Sequence, residues 1–130
     1  MESTNKRHSI LVVDDEETIL FGMCDYFLAH GYQVDCARAL VEAQTLLEQN
    51  TYSLVIADLR LTGSATTEGL ELAEYIRVNA PHTRIILLTA YGNQEIEMKA
   101  RRRGVDAFLN KPKPMAEMAQ IVSLLLAQQS

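Results

Sequence analysis

Short apolar runs alternate along the chain with longer stretches in which apolar residues recur every three or four positions. The runs are Ser9 to Val13, Tyr32 to Ala37, Tyr52 to Ala57, Arg84 to Leu88 and Val105 to Leu109, brief and mostly β-branched or aliphatic, as strands buried on both faces of a parallel sheet should be. Between the first two, Glu17 to His30 sets Ile19, Leu20, Met23, Tyr26 and Phe27 at helical spacing, and Gly31 offers the left-handed position that stops a helix. Ala39 to Gln49 does the same with Leu40, Ala43, Leu46 and Leu47, as does Glu68 to Val78 with Leu70, Leu72, Ala73 and Ile76 before Pro81 ends it. The pattern from Asn93 to Arg102 is weaker. Its sizeable apolar residues are Ile96 and Met98, so it is expected to be the least stable element. Met115 to Ala127 closes the chain with Met115, Met118, Ile121, Val122 and Leu125. Residues 1 to 8 are polar and are expected to be a disordered leader to a single domain spanning 9 to 130.

Strands that alternate with helices imply right-handed crossovers, hence a parallel sheet covered on both faces. A closed barrel would need roughly eight such units, so an open, doubly wound α/β sheet is expected, flavodoxin-like with strand order 2-1-3-4-5. Ligands of such sheets bind at the carboxyl tips of the strands, and here each tip turns polar. Strand one runs into Asp14-Asp15, strand three into Asp58, strand four into Thr89-Ala90, and strand five into Asn110-Lys111-Pro112. With strands one and three side by side, Asp14, Asp15 and Asp58 converge.

Three carboxylates at one point repel one another unless they share protons or hold a cation. Oxygen ligands without histidine or cysteine select a hard ion, and Mg²⁺ fits best because it keeps waters and leaves room for a phosphoryl oxygen. Lys111 could neutralise that phosphoryl group and Thr89 could donate a hydrogen bond to it. These are the parts of a phosphoryl-transfer site. The remaining composition narrows the partners. A net charge of −5 and a pI near 5.1 argue against direct nucleic-acid binding and against an anionic membrane surface, with Arg101 to Arg103 the one basic cluster. No apolar run approaches a bilayer span and the amino terminus lacks a signal core, so a cytoplasmic protein is expected. Cys24 and Cys36 fall in different elements without CxxC spacing and are read as reduced, structural thiols.

The four polar tips, in this order on these strands, closely resemble the receiver domains of two-component response regulators. The resemblance covers Ser9 to the last helix. It implies that Asp58 accepts a phosphoryl group from a sensor histidine kinase or a histidine phosphotransfer protein. It also implies that Asp15 and Asp58 ligate Mg²⁺ directly, Asp14 through water, and that the backbone carbonyl of Arg60 adds an oxygen. Lys111 would pair with Asp58 before transfer and with the phosphoryl group after it, aimed by a cis bond to Pro112. Thr89 would move toward the phosphoryl group and Phe108 would swing in behind it. The face of helix four, strand five and helix five would then change, to be read by a downstream protein, an output domain or a second copy in a homodimer. Such a domain is a switch that catalyses only its own phosphorylation and dephosphorylation.

Two features depart from the family. Where it commonly has proline four residues after the acceptor, this chain has Thr62, and Gly63 to Thr67 lengthen the loop beside the site. No output domain follows Ser130, so the chain is either a stand-alone receiver or an excised module. Plainer roles exist for single residues: an N-cap for Asp14 or Asp15, dipole-favoured charges for Glu16 and Glu17, a strand-end hydroxyl for Thr89, core for Phe108 and a solvated helix end for the arginines. His8, His30 and His82 lie away from the cluster and carry no assignment. The rival function is an aspartyl-phosphate hydrolase or phosphotransferase of haloacid-dehalogenase type. That class carries Asp-x-Asp after its first strand and needs room for a cap domain, whereas here the pair is adjacent and the lone aspartate follows strand three. A non-phosphorylated interaction module would lack the acceptor or the lysine, and both are present.

Overall fold

In the computed structural model residues 8–58, 68–90, 92–111 and 113–127 are described. The strands are β1 (Ser9–Val13), β2 (Gln33–Ala37), β3 (Leu54–Asp58), β4 (Arg84–Thr89) and β5 (Ala107–Asn110). They alternate with α1 (Glu17–Ala29), α2 (Leu40–Gln49), α3 (Glu68–Asn79), α4 (Gln94–Arg102) and α5 (Met115–Ala127). All strand pairings are parallel and the order is β2-β1-β3-β4-β5, the doubly wound flavodoxin-like α/β fold expected. Because strand side chains alternate faces, Ile10, Val12, Leu54, Ile56, Ile86 and Leu88 pack under α1 and α5. Leu11, Val13, Val55, Ala57, Ile85 and Leu87 pack under α2, α3 and α4. Side chains such as Phe27, Ile10 and Ile56 are fully buried, each contributing roughly 1.5–3 kcal/mol.

The helices differ in how firmly they sit. α1 buries Leu20, Met23, Cys24 and Phe27, and Gly31, at φ 93, ends it in the left-handed conformation. α4 buries only Ala100, while Ile96 is half-buried and Met98 is 54% exposed. Its start is nonetheless well made, with the Asn93 side chain accepting from the Ile96 amide at 2.9 Å. Among the described residues no helix is long and apolar enough to cross a membrane.

Several local expectations need correction. Cys24 of α1 and Cys36 of β2 are not separate thiols but are joined as a disulfide, their Cα atoms 6.9 Å apart. The turn through Gly31 folds β2 back beside α1 and brings them together. β5 begins at Ala107 rather than Val105, because the Val105 amide still bonds the Ala100 carbonyl at the end of α4. Tyr52 precedes β3 instead of opening it: its carbonyl accepts from Thr83 Oγ1 at 2.8 Å and its hydroxyl donates to Asp35 at 2.6 Å. Of the polar leader, residues 1–7 lie outside the described residues, while the His8 carbonyl accepts from the Gln33 amide and its ring lies 3.0 Å from Ser53 Oγ.

Candidate functional site

The parallel topology delivers the ends of β1, β3, β4 and β5 to one edge, and with them the polar tips. Asp14 leaves β1 with its amide bonded to the Ala37 carbonyl of β2 at 3.0 Å and its Oδ1 accepting from the Glu16 amide at 2.9 Å. It is wholly buried. The helix that follows is capped at Glu16 with no side-chain bond, so neither Asp14 nor Asp15 serves as its N-cap. Asp58 is the last residue of β3 and accepts from Lys111 Nζ at 2.7 Å. Asp15 is partly exposed, and one carboxylate oxygen from each of Asp14, Asp15 and Asp58 lies within 4.8 Å of the others.

Among the described residues one ammonium faces this cluster. Lys111 Nζ is 3.5 Å from Asp14 Oδ2 as well as 2.7 Å from Asp58. Burial works to lower its pKa, but the hydrogen bond and charge of Asp58, followed by those of Asp14, outweigh burial and hold the ammonium above its usual range. Asp14 is pushed the other way from an ordinary paired carboxylate. Burial raises its pKa, the charges of Asp58 and Asp15 add to this, and the Glu16 amide and Lys111 only partly oppose it. Its Oδ2 is buried with no hydrogen bond among the described residues. A buried anionic oxygen in a group of three carboxylates fits a hard divalent cation, which would relieve both the desolvation and the repulsion.

Thr89 ends β4, buried, in register with Asn110, and its carbonyl accepts from the Lys111 amide at 2.7 Å. The hydroxyl-bearing residue and the lysine are thus tied through the backbone. Phe108 lies in β5, half-buried against the α2–α4 layer. The structure therefore gathers Asp14, Asp15, Asp58 and Lys111, with Thr89 beside them and Phe108 one layer behind. Arg60, the Pro112 bond, Thr62 and the longer loop to Thr67 lie outside the described residues. Sequence reasoning missed the carbonyl of Ala37 and the amide of Glu16, which orient Asp14; backbone groups leave no residue-type signal.

The family model of the response regulator receiver domain matches residues 10–123. The chain belongs to this family. The receiver domain is 33% identical over 113 residues to the alginate biosynthesis transcriptional regulatory protein AlgB of Pseudomonas aeruginosa, a match covering 86% of this chain and 24% of AlgB. It thus spans about a quarter of that relative's length. Among solved structures, it matches a CheY-like response regulator receiver domain protein of Methanospirillum hungatei with TM-score 0.88 and 25% identity, covering 95% of this chain and 97% of that one. It also matches the beryllofluoride-activated NtrC4 receiver domain dimer with TM-score 0.84 and 25% identity, covering 94% and 98%. Receiver domains bind Mg²⁺ at an acidic pocket, and Asp14, Asp15 and Asp58 form such a pocket here. They are signalling modules that interact with histidine kinases and output domains, not catalysts in the usual sense. Membership of this family leaves no support for the haloacid-dehalogenase alternative.

Proposed function

We propose that Asp58 is the phospho-acceptor of this receiver domain. An Asp58 carboxylate oxygen attacks the phosphorus of a phosphohistidine on a sensor kinase or phosphotransfer protein. The phosphorus–nitrogen bond breaks, the imidazole leaves and takes up a proton, and an aspartyl phosphate results. Asp15 and Asp58 would hold Mg²⁺ directly, Asp14 through water, with the Arg60 carbonyl as a further ligand; the ion supplies positive charge for the phosphoryl oxygens. Lys111 restrains the Asp58 carboxylate before transfer and pairs with the phosphoryl group afterwards. Thr89 donates a hydrogen bond from its hydroxyl to that group, and water attack on phosphorus later breaks the phosphorus–oxygen bond to Asp58, releasing inorganic phosphate and regenerating the carboxylate, so that the domain also closes its own cycle.

One contact carries the proposal: the 2.7 Å bond from Lys111 Nζ to Asp58 Oδ2, made inside a group with two further carboxylates. The signal is read on the face of α4, β5 and α5. There α4 is held by one buried residue, so a small shift of Thr89 and Phe108 can move it. An output domain, a separate protein or a second copy of the chain is the reader, and the NtrC4 receiver, solved as an activated dimer, supports the last of these. The domain works in the cytoplasm, the compartment in which we expect it to meet its histidine kinase.

Acetyl phosphate with Mg²⁺ tests the chemistry. Intact-mass measurement should show one added phosphoryl group, acid-labile and sensitive to hydroxylamine, and none on Asp58→Asn. Retention of such a phosphate by Asp58→Asn would overturn the assignment.

A further inference from the structure

Gly92 lies between the tip of β4 and the cap of α4, where the chain has no side chain and little room for one. A Cβ placed there would stand 2.8 Å from Thr89 Cγ2, 2.9 Å from Phe108 Cε2 and 3.0 Å from Asn110 Oδ1. Ordinary contact begins near 3.4 Å, so a methyl group would force a displacement. The first two of these neighbours are the residues assigned above to sensing the phosphoryl group and to responding behind it. Thr89 is 4% exposed, and Phe108, half-buried, is packed against the α2–α4 layer. Asn110 faces Thr89 in register and precedes Lys111. The space a side chain at position 92 would take is therefore bounded by both moving parts and by the strand that leads into Lys111.

We infer that Gly92 is a positioning residue of the switch: its missing side chain is what lets Thr89 and Phe108 hold their resting places together. The inference rests on the phospho-switch proposed above. In the resting state the Thr89 methyl and the Phe108 ring edge both border the space a Cβ at Gly92 would fill. When Thr89 shifts toward a phosphoryl group, the space at Gly92 is shared anew between the ring and the loop. A methyl at position 92 occupies that space permanently, so the resting arrangement of at least one partner is lost before any phosphoryl group arrives. The three atoms nearest the added methyl belong to Thr89, Phe108 and Asn110, not to Asp58, Lys111 or the acidic pair.

The test uses the full chain with beryllofluoride and Mg²⁺ as phosphoryl mimic, read by backbone amide NMR shifts. In the wild type, residues 93–110 shift on adding the mimic. In Gly92→Ala the mimic-free spectrum is already displaced in these residues, and the further change falls to less than about half, while affinity for the mimic stays within about threefold. Removing the nearest atom that a Cβ would strike, in Gly92→Ala/Thr89→Ser, recovers part of the response of Thr89→Ser alone, because the Phe108 ring edge at 2.9 Å still meets the added methyl. This rescue separates positioning from general destabilisation, and it also decides the matter if Gly92→Ala does not fold: a folded double variant supports the contact, and an unfolded one overturns it. Identical resting spectra and responses in Gly92→Ala and wild type would overturn the inference and leave the phospho-switch standing. A wild type that binds the mimic without any shift in residues 93–110 would remove the switch, and the role of Gly92 with it.

Discussion

The two ends of the sheet both bring acidic and basic side chains into partial burial, and they treat them differently. At the amino-terminal end, Asp106 engages Arg84 Nη1 with Oδ1 at 3.2 Å and the Ile85 amide with Oδ2 at 2.8 Å. Tyr52 and Asp35 make a similar closed pair nearby, and burial, reinforced by Asp35, pushes the Tyr52 phenol up. At the carboxyl-terminal end three carboxylates gather where one lysine pairs with two of them, Asp14 and Asp58, and Asp14 Oδ2 is buried without a hydrogen bond among the described residues. Balanced charge staples a strand. Surplus charge at one point is a standing demand for a cation, and for the electrophile that a cation can accompany.

Substitutions at the two ends should therefore part company. The largest effect is expected from Asp106→Ala, which removes the carboxylate that the Ile85 amide and Arg84 Nη1 both bond and should lower unfolding free energy by about 2 kcal/mol in urea titrations. Mg²⁺ binding should be unaffected by it; a loss below about 0.5 kcal/mol would mean that this end is not the structural one. Next, Asp14→Ala and Asp15→Ala should each weaken Mg²⁺ binding by about tenfold or more in calorimetric titration. Unchanged affinity in both would remove the acidic pocket from the chemistry. The smallest and most telling effect is a gain. Burial holds the Asp14 carboxyl above its ordinary range, so in metal-free buffer its ionised form opposes folding at neutral pH, and that opposition fades as pH falls through the raised value. Asp14→Asn should thus stabilise the domain by about 1 kcal/mol in EDTA, keeping the bond from the Glu16 amide. Destabilisation under those conditions would show that the two ends obey one rule after all.

The arrangement of strands and the acidic cluster were legible because both follow from simple periodicities. Alternation of strand and helix forces parallel order, and parallel order sends every strand tip to one edge; Asp14, Asp58, Thr89 and Lys111 then meet by topology alone. What stayed hidden depended on groups that composition does not display. The start of β5 slipped from Val105 to Ala107 because Val105 stays bonded to the end of α4 while Asp106 turns its carboxylate to the Ile85 amide. Cys24 and Cys36 paired through a turn and an inter-element contact that no local spacing encodes. Gly92 drew no notice in the sequence, since what matters there is an atom that is missing.

The central position of β1 bears on when the domain becomes itself. β1 is the first strand synthesised, yet its neighbours are β2 on one side and β3 on the other, with Ile10 in register with Leu54. Sheet growth must wait for chain made much later, which is the long-range pairing that slows α/β domains relative to helical bundles. The ammonium arrives later still, just after β5, a strand that pairs only with β4. A nascent chain on the ribosome thus passes through lengths at which Asp14, Asp15 and Asp58 exist but the lysine that faces them does not, and the apolar faces of β1 and β3 must be shielded until the last unit emerges.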